Sequence, residues 1–209
     1  MRALSIGVLL AFLAAFGLPA QTPSEVMYDN EHVRVLKTTL QPRQSAPLEE
    51  YKWHRVLICL DGGEMTQTPQ GGKAEKINLK AGEVRWSPAS GPVVRENSGS
   101  DPIQMVEIES KGKAQPPVAL TDLDPLKADP KHYKLELEND HVRAVRVNFG
   151  PLEKGVVHTH MRNYVVVYMT PQAKGNRGDI NPHMNEGTVT HTENNPLDRA
   201  VERIAVELK

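Results

Sequence analysis

The sequence predicts an all-β protein built from two barrel-like or double-sheet lobes, of which the second is the shorter. Three observations predict this class: a repeated segment, apolar residues that alternate with period 2, and 15 Gly and 16 Pro in 209 residues. Alternation with period 2 indicates strands with one buried face, and frequent Gly and Pro are typical of the turns between short strands. No amphipathic helix longer than two turns is predicted.

The first twenty residues are typical of a secretory signal peptide. A positively charged Met-Arg start is followed by an uncharged, mostly apolar run over residues 3–16, and residues 17–20 end the run on a small residue. The run is well short of the about 20 residues that a membrane-spanning helix needs, which makes a membrane anchor the weaker alternative. We therefore expect a signal peptide at 1–20 and a secreted or periplasmic protein with no stable membrane anchor after cleavage.

Charge and cysteine content exclude several classes of protein. The chain has 25 Lys and Arg against 26 Asp and Glu, so no basic excess is present to bind a phosphate backbone, and nucleic acid is not an expected partner. The single cysteine, Cys59, lies in an apolar run, where we expect it to be a core residue. Because an exported chain with one cysteine has no intrachain disulfide, its stability must come from a packed core.

An internal repeat organises the chain after the signal peptide. Asn-Glu-His-Val-Arg-Val, beginning at Asn30, recurs as Asn-Asp-His-Val-Arg-Ala from Asn139, an offset of 109 residues. The offset holds without a gap as far as the apolar runs at 56–60 and 165–169. These runs are apolar on both faces and rich in β-branched residues, as in the central strands of a sheet. Self-similarity of this kind predicts two copies of one structural unit.

The repeat predicts lobe 1 at 26–111, a Pro-rich linker at 112–132 and lobe 2 at 133–209. Further along, the offset falls from 109 to 96, so lobe 2 lacks 13 residues that correspond to a hairpin around 62–81. The turn of that hairpin, at 68–73, contains two glycines that can take positive φ. A missing hairpin either widens access to the barrel or exposes a sheet edge that a second subunit covers, and the latter favours a homodimer.

Histidines of the second lobe are the strongest candidates for chemistry. His158 and His160 precede a predicted strand, where residues i and i+2 share a face, so both imidazoles can bind one cation at about 2.0–2.2 Å. His191 is the expected third ligand, and His183 is a weaker candidate. Glu193 is either a supporting partner or part of a Glu-Asn turn. The alternative to a metal site is a group of polar histidines that binds an organic ligand without a metal.

These motifs resemble those of the cupin superfamily in its two-domain, or bicupin, form. The first cupin motif places H-x-H at the start of a strand after a Gly/Pro turn, which fits residues 151–160. The second motif runs Gly, Pro, Gly, His, Asn, an order that occurs here, with gaps that differ by a residue or two, at Gly178, Pro182, Gly187, His191 and Asn195. The resemblance covers nearly the whole chain after residue 20 and implies two jelly-roll, or double-stranded β-helix, lobes.

The resemblance also bears on the ligand set. Where the family has a metal-binding Glu, this chain has Asn163 or Tyr164, which we expect to contact substrate, although Tyr164 in a strand can equally be a packing residue. Three neutral ligands suit a divalent transition metal ion such as Mn, Fe, Ni or Zn. Lobe 1 has Glu49 and Tyr51 at the positions of the H-x-H pair, so we expect it to be a degenerate, structural lobe without metal ligands.

The histidine pattern and the cupin resemblance suggest two classes of function. The first is an exported cupin that binds a metal ion in its C-terminal lobe and acts on a small oxygen-containing molecule, since such an ion can serve as a Lewis acid or lower the pKa of bound water. The second is a non-catalytic small-molecule-binding or structural module without a metal. The expected partner in the first case is a small-molecule substrate or ligand, and the sequence identifies no catalytic acid or base.

Overall fold

A computed structural model of the chain describes residues 24–112, 118–184 and 187–209, so the predicted signal peptide lies outside the described residues. The strands of the first half are β1 (Glu25–Asp29), β2 (Val33–Leu40), β3 (Glu49–Tyr51), β4 (His54–Cys59), β5 (Gly63–Pro69), β6 (Glu75–Leu79), β7 (Val84–Ser87), β8 (Ser90–Asn97) and β9 (Ile103–Ser110). A helix, α1 (Pro125–Ala128), precedes β10 (Tyr133–Glu138), β11 (Val142–Phe149), β12 (His158–His160), β13 (Tyr164–Tyr168), β14 (Ile180–His183), β15 (Val189–His191) and β16 (Val201–Leu208). Within the described part of the chain, no helix is long and apolar enough to reach across a membrane.

The strands form two pairs of antiparallel sheets. Lobe 1, defined here as β1–β9, contains the sheets β1-β2-β9-β4-β7 and β3-β8-β5-β6. Lobe 2, defined as β10–β16, contains β10-β11-β16-β13-β14 and the two-stranded sheet β12-β15. The strand orders correspond, except that the described residues of lobe 2 have no counterpart of β5 and β6. The predicted fold class, all-β with an abbreviated second lobe, is confirmed.

The largest apolar core lies between the two five-stranded sheets. Lobe 1 contributes Val33, Val35, Val56, Ile58, Leu60, Val106 and Ile108, and lobe 2 contributes Val142, Ala144, Val165, Val167, Met169, Ile204, Val206 and Leu208. The alternate residues of β4, Leu57 and Cys59, face a second core inside lobe 1. Strand β4 is therefore buried on both faces, which explains its continuous apolar run. Because each fully buried Val, Leu or Ile side chain contributes about 1.5–3 kcal/mol, the shared core is a major stabilising contact between the lobes.

The β5–β6 hairpin closes one side of lobe 1. Its Met65, Ile77 and Leu79 pack in the inner core of that lobe. The predicted turn is present, and Gly71 has a φ of 71°, whereas Gly72 is not among the positive-φ glycines of the described residues. The described residues of lobe 2 form no corresponding layer, and the inner faces of β13 and β16 border a cavity instead.

Part of the predicted linker packs on lobe 2. Asp124 caps α1 and forms a 2.7 Å ion pair with Arg143, and both side chains are buried. The amide of Thr159 in β12 donates to the carbonyl of Leu123 at 2.8 Å. The segment therefore covers the edge of the two-stranded sheet, which would otherwise present unpaired backbone groups.

Candidate metal site

Strands β12 and β15 bring three histidines together. His158 lies opposite His191 in the antiparallel pairing, and His160 shares the face of His158 because it is two residues further along. One ligand nitrogen from each ring lies within 4.8 Å of those of the other two. Donors bound to one ion at about 2.0–2.2 Å lie about 3–4.4 Å apart, so little closure of the rings is needed. The structure thus brings together the three histidines singled out in the sequence.

Two of the imidazoles are oriented through Nδ1. His158 Nδ1 lies 2.9 Å from the carbonyl oxygen of Val156, and His160 Nδ1 lies 3.5 Å from Glu207 Oε1. Glu207 is itself held by two hydrogen bonds from Arg143, at 2.8 and 2.9 Å. When Nδ1–H donates to a carbonyl or carboxylate, the lone pair is on Nε2, which is the arrangement that supports metal-binding histidines.

His191 gives the clearest indication of a cation. Its Nε2 is buried and has no hydrogen-bond partner among the described residues, a rare condition for a polar atom. Burial, followed by the neighbouring His158 and His160, lowers the pKa of His191 to about 4. Burial also lowers the pKa of His158. Both imidazoles are therefore neutral at pH 7, as metal ligands must be, and the donor set fits a divalent ion.

Tyr133 and Arg203, which the sequence analysis did not place in a site, form a polar chain with Glu193 beside the histidines. Tyr133 Oη lies 3.1 Å from His158 Nε2 and donates a 2.7 Å hydrogen bond to Glu193 Oε2. Glu193 forms an ion pair with Arg203. Burial raises the pKa of Tyr133 and lowers the pKa of Arg203.

A signal for Arg203 exists in the sequence, because it alternates with Val201 and Ala205 on the inner face of β16. Tyr133 also alternates with charged residues, together with Leu135 and Leu137 of β10, but a register shift between those two leucines leaves Leu135 exposed, so the pattern alone does not single out Tyr133. Glu193 follows His191 by two residues, and the sequence left open whether it supports the site or forms a turn. In the structure it contacts Tyr133 and Arg203 beside the histidines.

A cavity of about 50 Å³ adjoins the site, and it is lined by Tyr133, Val147, His160, Tyr164, Val166, Tyr168, Asn181, His183, His191, Glu193, Arg203 and Ala205. Tyr164 is stacked between His160, with ring centroids 4.3 Å apart, and His183, at 4.4 Å. It therefore packs against a candidate ligand and borders the cavity at once. His183 lines the cavity but is not part of the three-histidine group, and Asn163 is not among the lining residues.

Lobe 1 has different residues at the positions of the histidines. Strand β3 pairs with β8 so that Glu49 lies opposite Val93, the place that the His158–His191 pair has in lobe 2. Tyr51 occupies the position of the second histidine of the H-x-H pair. Among the described residues, the one group with metal-ligand spacing is that of lobe 2.

Paired charges fill the interior of lobe 1. Glu107 is fully buried and lies 2.9 Å from Arg95 and 3.5 Å from Arg55. Its Oε1 also accepts a 2.6 Å hydrogen bond from Thr38. Burial alone would raise the pKa of Glu107, but the two guanidinium groups outweigh it and hold the pKa below its usual range. Glu49 lies 3.5 Å from Arg95 as a second carboxylate, so two negative charges face the two guanidinium groups in the interior of lobe 1.

Comparisons with known proteins identify the fold. No family model and no curated protein matches the sequence. Solved structures match in shape: a cupin 2 conserved barrel domain protein from Leptotrichia buccalis (TM-score 0.56, 12% identity, covering 92% of this chain and 91% of that chain) and AerE from Microcystis aeruginosa (0.56, 9%, 89% and 97%). A variant of oxalate decarboxylase from Bacillus subtilis also matches (0.60, 11%, 85% and 69%). The chain has the cupin fold, a class of double-sheet barrel that serves many unrelated functions.

Proposed function

We propose that the second lobe binds a divalent transition metal ion through His158, His160 and His191. The observation that carries this proposal is the buried, unpartnered Nε2 of His191 within reach of two imidazoles whose Nδ1 atoms have acceptors. Imidazole suits Mn, Fe, Ni and Zn to different degrees, so the donor set alone is compatible with any of them.

The protein would act on a small oxygen-containing molecule. The cavity, of about 50 Å³, restricts the ligand to a small molecule. Arg203, Glu193 and Tyr164 give the cavity polar groups that can orient such a molecule. A divalent ion with three neutral ligands can polarise an oxygen atom of the substrate or lower the pKa of a bound water. By its name, the structural neighbour oxalate decarboxylase acts on oxalate, which is also small and oxygen-rich.

Metal analysis of the purified mature protein tests the proposal. After loading with Co²⁺ or Ni²⁺ and removal of free metal, we expect one equivalent per chain. Replacing His158, His160 or His191 by Ala should each weaken binding by more than the about 10- to 100-fold typical for loss of a supporting group. His183→Ala is the matched control, because His183 borders the same cavity and should leave the stoichiometry unchanged. Less than about a tenth of an equivalent in the wild type would favour a metal-free binding module.

The proposal that the protein is exported rests on residues 1–20. Mass spectrometry of the protein recovered outside the cytoplasm should find Gln21 as the first residue. Recovery of the full-length chain from the cytoplasm alone would refute export without affecting the proposed metal site.

A further inference from the structure

The three histidines leave the charge of a divalent ion without an anionic ligand. A residue from another sheet lies close enough to supply one. Tyr133 is on β10, in the five-stranded sheet of lobe 2, whereas all three histidines are on the two-stranded sheet. Its hydroxyl approaches the ligand nitrogen of His158 across the interior of the lobe.

We propose that Tyr133 Oη is the fourth protein donor to the metal ion, an inference that rests on the proposed metal site. The oxygen lies 3.1 Å from His158 Nε2. Two donors that bind one ion at about 2.1 Å and at right angles are about 3.0 Å apart, so the observed separation matches that of neighbouring ligands. A hydroxyl at this distance is either in the coordination sphere or must move away when the ion binds.

The surroundings hold the Tyr133 hydroxyl in place. The side chain is 3% exposed, and its ring packs edge-on against Phe149. The hydroxyl donates to Glu193, which is anchored by Arg203. Moving the phenol away would break this hydrogen bond and leave an oxygen of the half-buried Glu193 carboxylate without this donor, which costs free energy.

The same hydrogen bond provides a route for the proton. When the metal–oxygen bond forms, the O–H bond of Tyr133 breaks, and the proton passes to Oε2 of Glu193, which already accepts it at 2.7 Å. The resulting ligand set has three neutral imidazoles and one phenolate. A bound cation favours deprotonated ligands, although burial alone would keep the phenol protonated.

Lobe 1 provides an internal comparison. Ser24 occupies the place there that Tyr133 has in lobe 2, and its hydroxyl bonds to Thr38 at 2.8 Å. The lobe without the histidine group therefore also lacks the phenol, which is the arrangement expected if the phenol and the histidines serve the same ion.

The test uses Cu²⁺ and Co²⁺ with the full mature chain. Cu²⁺ bound to a phenolate absorbs in the visible region by charge transfer, whereas Cu²⁺ bound by imidazoles alone gives weak bands there. We expect the charge-transfer band in the wild type and its loss in Tyr133→Phe, with Co²⁺ affinity lowered by more than the about 10- to 100-fold typical for loss of a supporting group. Tyr164→Phe, which changes a tyrosine of the same cavity, should keep both the band and the affinity.

Resonance Raman spectra of the Cu²⁺-loaded wild type keep the test independent of the folding of any variant. Excitation in the charge-transfer band should enhance phenolate ring vibrations, and these should shift when the protein contains ring-deuterated tyrosine. A wild type that binds one metal ion without the band or the phenolate modes would overturn the role of Tyr133 and leave the histidine site standing. A wild type that binds no metal ion would overturn both proposals.

Discussion

Replacing Glu107 by Gln should destabilise lobe 1 strongly. Glu107 is fully buried and is the acceptor shared by Arg95 at 2.9 Å, Arg55 at 3.5 Å and Thr38 at 2.6 Å. Glutamine has nearly the same volume, so packing is kept and the negative charge is lost. Removing one partner of a buried ion pair costs about 3–5 kcal/mol, because the remaining charge is buried without compensation.

Urea unfolding followed by tryptophan fluorescence measures this loss. Both tryptophans of the chain, Trp53 and Trp86, lie in lobe 1. With a denaturant slope of about 2–3 kcal/mol per M, a loss of about 3–5 kcal/mol lowers the urea midpoint by about 1–2.5 M. Glu64→Gln is the matched control, because its 3.2 Å pair with Lys76 is exposed and should contribute less than about 1 kcal/mol.

The same carboxylate should make the stability depend on acid. Because its folded-state pKa lies below the ordinary value of 4.5, its contribution is present above pH 4.5 and is lost as the pH falls through the folded-state pKa. The difference between wild type and Glu107→Gln should therefore shrink in acid. The triple variant Arg55→Met/Arg95→Met/Glu107→Leu, which removes both guanidinium partners together with the carboxylate, should recover part of the loss at neutral pH. A urea midpoint of Glu107→Gln within about 0.3 M of the wild type would correspond, at a slope of about 2–3 kcal/mol per M, to a loss below about 1 kcal/mol and would refute the predicted destabilisation.

Three further predictions concern lobe 2 and the segment before β10 that packs on it. In the metal-free protein, His191 takes up a proton near pH 6.5 in the unfolded chain but only near pH 4 in the folded chain. The thermal midpoint should therefore decrease as the pH is lowered from 6.5 to 4, and it should decrease less in His191→Asn. Gly178→Ala should lower the free energy of unfolding in urea by about 1–3 kcal/mol, because the φ of Gly178 is 83° and the new Cβ would lie 2.7 Å from Leu60 Cδ1 in lobe 1. Gly71→Ala should cost less, because Gly71 also has a positive φ but a Cβ there would meet open space. Asp124→Ala should lower the thermal midpoint more than Asp124→Asn, because Asn can still cap α1. Equal midpoints would show that loss of the carboxylate charge opposite buried Arg143, and not loss of the cap, accounts for the effect.

The fold class and the shortened lobe could be predicted because their signals are local. Alternation with period 2 follows from strand geometry. The change in repeat offset predicted that lobe 2 lacks a hairpin that lobe 1 has, and this hairpin is β5–β6. The same geometry places His158 and His160 on one face. The continuous apolar runs at 56–60 and 165–169 indicated central strands. Neither run alone showed that one face of its strand packs against the other lobe.

The sequence by itself determined the strands, the all-β class and the three histidines that are candidate metal ligands. Only the tertiary structure decided that His191 lies opposite His158, that Tyr133 and Arg203 reach the same cavity, and that lobe 1 fills its interior with paired charges. The physical reason is that strand register and sheet packing depend on contacts between residues far apart in the chain. An alternating pattern records which side of a strand faces inward, but not which other side chains it meets there.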